Sequence, residues 1–274
     1  MAAPARPFPR VPFISTLTGQ RYGWVVTVLF LLGMVLIWEG IVRLGIWPPY
    51  LLPSPAAVLD RLIGGASDGT LLRTVGLSMK RMLIGFGISL FLGIGLGIAI
   101  ARFRAVELTL GSLVAGLQAL PSICWLPLAL IWFGLSERAI IFVVILGSMM
   151  AITQATADGV KNTPNIFLRA AASLGATGPT LYWRVILPAS LPYMITGMKL
   201  GWSFAWRSLL AAELLFVTPG LGHMLEVGRE FSDMAQVIAV MVVIVMAGLA
   251  VDRLLFVRLE TIVRKRWGMS GIRG

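Results

Sequence analysis

Long uncharged, apolar runs alternate with short charged segments along almost the whole chain. Each residue of a helix adds ~1.5 Å, so about 20 apolar residues cross a hydrocarbon core of ~30 Å. Six stretches satisfy this requirement, and the pattern therefore predicts six transmembrane helices. They are expected at residues 22–44, 82–101, between 107 and 137, 139–157, 193–217 and 235–251.

No soluble-looking interval separates these runs, which predicts one membrane domain at residues 22–257. Residues 1–21 and the basic residues 258–274 are expected to form two cytoplasmic tails. The composition agrees, because only 13% of the residues are charged, against about 25% in soluble domains. The first run is too long for a secretory signal and no small-residue cleavage site follows it, so a retained helix is predicted.

The basic residues give a formal net charge of +11, but they bracket the apolar runs and do not cluster with exposed aromatic residues. This distribution disfavours nucleic acid as a partner and favours a lipid bilayer. With both termini in the cytoplasm, 14 Lys and Arg residues fall on the cytoplasmic side and 7 on the opposite side. The positive-inside rule therefore predicts cytoplasmic termini.

Three local patterns predict how the helices begin, bend and pack. Ser54 can cap a short helix that Pro55 starts, and Pro121 and Pro127 should kink or break the third crossing. The second crossing carries a small residue at every fourth position, which would let another helix approach closely. These small residues are Gly85, Ser89, Gly93 and Gly97.

The most informative polar interval is the cytoplasmic loop at about residues 158–191. Residues 166–174 can form a short helix that Gly175 ends, and Pro188 is expected to limit the next helix before the fifth crossing. A short amphipathic helix tied stiffly to membrane helices would suit a groove in a soluble partner. On these residues alone, an ordinary solvated loop with a chance helical turn is the alternative.

The same loop resembles the EAA coupling loop of ABC importer permeases, whose form is Glu-Ala-Ala, three residues, Gly, nine residues, Ile-x-Leu-Pro. The matching residues are Ala170, Ala171, Gly175, Val185, Leu187 and Pro188. Arg169 stands where the motif has Glu, so docking is expected to survive but no salt bridge of that Glu is carried over. Other segments are similar to the nitrate, sulfonate, taurine and bicarbonate branch of these permeases: Leu52-Pro53-Ser54-Pro55, Arg81 with Gly85-Phe86, Trp125-Leu126-Pro127-Leu128, Trp132-Phe133-Gly134 and Ala211-Ala212-Glu213.

The resemblance implies an all-α, multi-pass protein of the bacterial inner membrane, with six transmembrane helices in the MetI-like fold of type I ABC importer permeases. An ABC ATPase dimer would bind the coupling loop, and a substrate-binding protein would deliver the solute from outside. A second permease, most simply another copy of this chain, would complete the pathway. The residues implied to couple to the ATPase are Arg169, Ala170, Ala171, Leu174, Gly175, Val185, Leu187 and Pro188.

The chain has no G-x-x-x-x-G-K-[ST] sequence, so it is not expected to hydrolyse ATP itself. We expect no catalytic residue, metal or cofactor in this chain, with ATP and Mg held by the partner ATPase.

Polar and charged residues inside the predicted helices are candidates for the translocation pathway, because such groups are unfavourable in hydrocarbon. Arg207 could attract an anion, or it could be paired or snorkel to the interface. Glu213 would repel an anion, so a structural or gating contact near the outer end is expected for it. The candidates are Gln118, Ser122, Trp202, Ser203, Trp206, Arg207 and Glu213. The tryptophans could instead be packing residues, and Pro121 could make a simple kink.

The favoured function is therefore import of a small anionic solute of the sulfonate, taurine, nitrate or bicarbonate class. A neutral or heterocyclic nutrient is one alternative. An ion-driven secondary transporter, in which Arg207 and Glu213 couple to an ion, is another. A membrane enzyme is disfavoured, because no cluster of acid/base or metal-binding residues lies at one interface.

Overall fold

The computed structural model describes residues 23–266, and all regular structure in that range is helical, which confirms the all-α prediction there. Residues 1–22 and 267–274, which contain the predicted N-terminal tail and the end of the C-terminal tail, lie outside the described residues. The helices are α1 (Gly23–Arg43), α2 (Pro55–Ser67), α3 (Thr70–Arg102), α4 (Arg104–Gln118), α5 (Ser122–Phe133), α6 (Glu137–Lys161), α7 (Asn165–Ser173), α8 (Gly178–Leu181), α9 (Leu187–Leu215), α10 (Leu221–Glu230), α11 (Met234–Val251) and α12 (Val257–Arg266).

In the described residues, four helical segments are long and apolar enough to cross a membrane: α1, α3, α6 and the joined α11 and α12. The third predicted crossing is a pair of helices, α4 and α5, bent by 107° at the break between them. Helix α9 has 29 residues, about 43 Å, but Lys199, Arg207 and Glu213 lower its apolar character. The total of six crossings and the sides on which the termini lie stay predictions.

The break between α4 and α5 lies at Pro121, as predicted. A residue that precedes proline is pushed out of the helical conformation, and α4 accordingly ends at Gln118. Pro121 itself is extended, with φ −55° and ψ 135°. Pro127, by contrast, lies in the first turn of the helix Leu126–Phe133, where its missing N–H leaves no helical hydrogen bond unmade. Pro121 therefore breaks this crossing, whereas Pro127 helps to restart it.

Helix α6 packs between α3 and α9 and forms the centre of the fold. The predicted small-residue stripe of α3 faces it: a Cβ atom built on Gly97 would lie 2.6 Å from the carbonyl oxygen of Thr153. About two turns earlier on α3, Ser89 Oγ accepts a hydrogen bond of 2.7 Å from Ser148 Oγ of α6. Where α9 meets α6, a Cβ atom on Gly201 would lie 2.7 Å from Ile152 Cγ1. Small residues thus permit the close approach of both α3 and α9 to α6.

Helix α1 is the least packed of the long helices that could cross a membrane, since none of its apolar segment is buried inside the described chain. Trp38 Nε1 donates to the carbonyl oxygen of Pro53 at 3.1 Å and ties α1 to the segment before α2. There the predicted cap is confirmed, because Ser54 Oγ accepts from the backbone N–H of Ala57 at 3.2 Å.

One helix is longer than the crossing predicted within it, and one predicted boundary is wrong. Helix α3 begins at Thr70, twelve residues before the predicted crossing, and these first three turns carry charges. Pro188 does not separate two helices: the chain is helical from Gly178 through a wide π turn at Tyr182–Ile186 into α9. Pro188 lies in the first turn of α9, where a proline is tolerated.

Candidate functional site

The predicted coupling element forms a short helix and a sharp stop. Helix α7 spans Asn165–Ser173, and Gly175 follows it with φ +80°, a left-handed conformation that favours glycine. The backbone N–H of Ala176 closes the turn onto the carbonyl of Ala171 at 2.9 Å. The prediction of a short helix ended by Gly175 is thus confirmed.

The surface of α7 carries exposed apolar side chains beside exposed Arg169 and Ala170. Ile166 is 69% exposed and Leu174 is 88% exposed, whereas Ala171 is buried against the rest of the chain. Large apolar groups that protrude from a short helix indicate an interaction surface, because water does not favour their exposure.

The coupling element is joined to the membrane core without a flexible linker. Gly178 has φ +53° and starts α8, after which the chain stays helical through Tyr182–Ile186 into α9. The motif residues Val185, Leu187 and Pro188 are half-buried in this continuous stretch. Burial raises the pKa of the Tyr182 phenol in the same turn, so this group stays neutral. A displacement of α7 would therefore be transmitted to α9.

The break between α4 and α5 opens a cavity of about 330 Å³ that contains three predicted pathway residues. Gln118 comes from the end of α4, Ser122 from the start of α5, and Arg207 from α9. Trp125 and Phe204 add aromatic surface to the lining. The structure thus brings Arg207 of α9 to the same cavity as two residues on either side of the α4–α5 break, which lie far from it in the sequence.

The charge of Arg207 has no carboxylate partner in the described part of the chain. Its Nη2 atom donates to Ser203 Oγ at 3.1 Å, and its guanidinium carbon lies 5.4 Å from the centre of the Phe204 ring. The residues that line the cavity include no Asp or Glu. The lining of the cavity therefore carries one positive charge and no negative charge.

A polar stripe runs along α9 on successive turns and consists of Thr196, Lys199, Ser203 and Arg207. These side chains are exposed or half-exposed in the chain. Such a stripe is unfavourable against lipid tails, so this face of α9 is expected to line water or contact protein. Beside it lies a second cavity, of about 470 Å³, which includes Ser203 and the two predicted tryptophans Trp202 and Trp206.

Glu213 lines neither of these cavities. It is fully buried at the end of α9 remote from α7 and lies 2.8 Å from Arg81 Nη1. Ser78 Oγ donates to the same carboxylate at 2.8–2.9 Å, and Arg81 Nη2 reaches Glu137 at 3.0 Å. The structure places Glu213 in a buried polar cluster, consistent with the structural contact expected for it.

Ser78 and Asp252 were not among the predicted site residues, and Arg81 was named only as part of the family resemblance. Arg81 lies within α3 and is buried. Asp252 pairs with Lys199. A lysine inside a predicted crossing needs a counter-charge, and this was the signal that could have found Asp252.

Comparison with known proteins agrees with this architecture. Residues 91–267 match the family model described as binding-protein-dependent transport system inner membrane component. A putative ABC transporter permease protein of Methanocaldococcus jannaschii is 36% identical, over 80% of this chain and 84% of that protein. The taurine transport system permease protein of Escherichia coli is 32% identical, over 72% and 74% of the two chains. The formylaminopyrimidine transport permease protein of Halalkalibacterium halodurans is 31% identical, over 71% and 77%.

Solved structures resemble the fold. A chain of an amino acid ABC transporter crystallised with histidines superposes with a TM-score of 0.61 at 15% identity, over 75% of this chain and 97% of that one. A chain of the MetNI methionine ABC transporter, in inward-facing conformations, gives a TM-score of 0.53 at 18% identity, over 76% and 96%. At these identities the similarity concerns the fold alone.

Proposed function

The chain belongs to the family of binding-protein-dependent transport system inner membrane components, and from this membership we propose that it conducts a small organic sulfonate. As a member, it is a multi-pass inner-membrane permease subunit of an ABC importer and not an enzyme. Family membership also disfavours the ion-driven secondary transporter that the intramembrane charges had left open.

The uncompensated charge of Arg207 carries this proposal. A guanidinium presents several N–H donors in a plane and binds oxyanions through more than one oxygen. Gln118 and Ser122 add neutral donors to the same cavity. With a volume of about 330 Å³, the cavity suits a small solute. A taurine permease among the relatives supports a sulfonate.

Three partners complete the proposed importer. An ABC ATPase dimer, which holds ATP and Mg, docks on α7 through Ile166, Leu174 and the motif residues around Gly175. A substrate-binding protein delivers the solute to the opposite side. A second copy of this chain faces the polar stripe of α9, so that the stripe and the cavity beside Arg207 border a pathway between the copies and not lipid.

A heterocyclic nutrient is the second candidate substrate. Trp125 and Phe204 line the same cavity as Arg207, and aromatic surfaces stack well on planar rings. A formylaminopyrimidine permease is among the relatives. The two candidates differ in whether the solute must carry an anionic group.

Reconstituted transport tests the proposal. The importer, with its ATPase and binding protein, is incorporated in liposomes, and uptake of labelled taurine, ethanesulfonate and a neutral aminopyrimidine is measured with and without ATP. We expect ATP-dependent uptake of a sulfonate, a loss of about tenfold or more in Arg207→Gln, and partial retention in Arg207→Lys. Arg138→Gln removes an exposed charge outside the cavity and should transport normally.

Three other outcomes of the uptake assay would change the proposal. Uptake of the pyrimidine but not of a sulfonate would favour the second candidate. Normal sulfonate uptake by Arg207→Gln would contradict the role of Arg207, and uptake without ATP or an ATPase would contradict the importer.

A further inference from the structure

Lys199 of α9 and Asp252, which directly follows α11, form an ion pair with 2.9 Å between Nζ and Oδ1. Asp252 lies within the apolar segment Met234–Val263. The pair is not sealed: 46% of the Lys199 side chain and 34% of the Asp252 side chain are exposed. Exposed charges are unfavourable against lipid tails, so this face is expected to meet water.

The pair forms one wall of the second cavity, of about 470 Å³. An ammonium has three hydrogen-bond donors and a carboxylate about four acceptor sites. One contact between Lys199 and Asp252 therefore leaves donors and acceptors that can bind a ligand. Because the two charges cancel, the cavity offers a cationic and an anionic group side by side without a net charge. A ligand with both charges matches this arrangement better than a simple anion does.

Two indole rings supply the rest of the recognition surface. Trp202 and Trp206 stack with their ring centroids 6.5 Å apart and an angle of 11° between the planes, and both line the cavity. Indole faces attract ammonium groups. Trp202 and Trp206 are only 5% and 9% exposed, so packing holds both rings in place beside the cavity.

The second cavity adjoins the first through a direct hydrogen bond. Arg207 borders the first cavity and donates to Ser203, which borders the second. Lys199 lies eight residues before Arg207 on the same helix, about 12 Å along its axis, and toward the end that carries α7. The polar stripe of α9 thus connects two charged positions.

We propose that the Lys199–Asp252 cavity is a second solute station on the way to the coupling side and that it selects zwitterions, with the anionic group on Lys199 and the ammonium on Asp252 and the indole faces. This inference rests on the proposed function, since it takes Arg207 as the first station. An arriving zwitterion exchanges one internal ion pair for two intermolecular ones. A simple anion would have to compete with Asp252 for Lys199 and leave the carboxylate unpaired.

Equilibrium binding to the purified permease–ATPase complex, without the binding protein, tests the inference. The probes are radiolabelled taurine and ethanesulfonate, which share a sulfonate but differ in the ammonium. The Arg207→Gln variant removes the charge of the first cavity, so solute binding that remains in this variant is assigned to the second cavity. There we expect measurable taurine binding that weakens about tenfold or more in Asp252→Asn. Binding of ethanesulfonate should not weaken in that variant, and Lys199→Gln should weaken the binding of both.

Two further variants keep the test decisive. Glu107→Gln breaks an ion pair of similar exposure, 30% for Glu107 and 36% for Lys161, away from the cavity, and should leave both affinities unchanged. Gly248→Leu fills the cavity without a change of charge, since the Cβ position lies in open contact, 3.7 Å from Trp206 Nε1. It should remove the binding of both ligands even if Asp252→Asn fails to assemble.

The inference is overturned if no taurine binding remains in the Arg207→Gln complex, if Asp252→Asn weakens both ligands equally, or if Gly248→Leu binds taurine like its parent. These failures are distinct from a failure of the proposed function, which would appear as absent ATP-dependent uptake of any sulfonate by the unmodified importer.

Discussion

Nη1 of Arg81 lies 2.8 Å from Oε1 of Glu213, so that a buried guanidinium and a buried carboxylate join α3 to the end of α9. The backbone N–H of Gly222 donates to the same carboxylate at 3.1 Å, and Arg81 donates to the carbonyl of Pro219 at 2.9 Å. A Cβ atom on Gly220 would lie 2.5 Å from the Glu213 carboxyl carbon. The ion pair therefore holds the turn between α9 and α10 against α3.

Loss of this carboxylate should destabilise the protein strongly. Glu213→Ala leaves Arg81 buried without its full counter-charge, and removal of one partner of a buried ion pair costs about 3–5 kcal/mol. Thermal unfolding of the detergent-solubilised protein measures the effect. Glu226→Ala removes a carboxylate from a pair with the exposed Arg229 and should lower the melting temperature far less, because water screens such a pair. Equal melting shifts for the two variants would contradict a special role of the buried pair.

Two glycines of α3 should respond differently to the same substitution. A Cβ atom on Gly97 would meet the backbone oxygen of Thr153 at 2.6 Å, whereas one on Gly95 would meet nothing within 4 Å. Backbone cannot move aside as a side chain can, so Gly97→Ala should force α3 and α6 apart and cost about 1–3 kcal/mol. Gly95→Ala should cause no loss. Comparison of the two melting temperatures checks this, and a similar stability of both variants would refute it.

Features that depend on chain neighbours were predictable from the sequence. The cap at Ser54, the break at Pro121 and the stop at Gly175 each act through backbone geometry within a few residues, and all three are present. The small-residue stripe of α3 was predictable for the same reason, because helical spacing places residues four apart on one face.

Contacts between distant segments were not predictable in the same way. Arg81 and Glu213 are separated by 132 residues, and no local pattern connects them. The two tryptophans of α9 were grouped with Arg207 because they are close in sequence. Side chains of residues that are adjacent along a helix point to different faces of it, however. Trp206 consequently packs in the core and lines the second cavity, whereas Arg207 lines the first.

The last prediction concerns the joint of the coupling element. Gly175 has φ +80° and open space around its Cβ position, so a substitution there acts on backbone conformation and does not create a clash. A β-branched residue is a strong outlier at positive φ, whereas Asn adopts this conformation readily. Gly175→Val should therefore redirect the chain after α7, and membrane insertion should be unaffected because the apolar segments are unchanged.

Copurification of the ATPase with the tagged permease measures the consequence. We expect Gly175→Val to lose most of the bound ATPase and Gly175→Asn to keep most of it. Membrane yield and melting temperature of the permease alone should be similar in both variants. Val and Asn are similar in size, so the difference isolates the left-handed backbone. Normal ATPase retention in the Val variant would show that α7 and its stop do not position the docking surface.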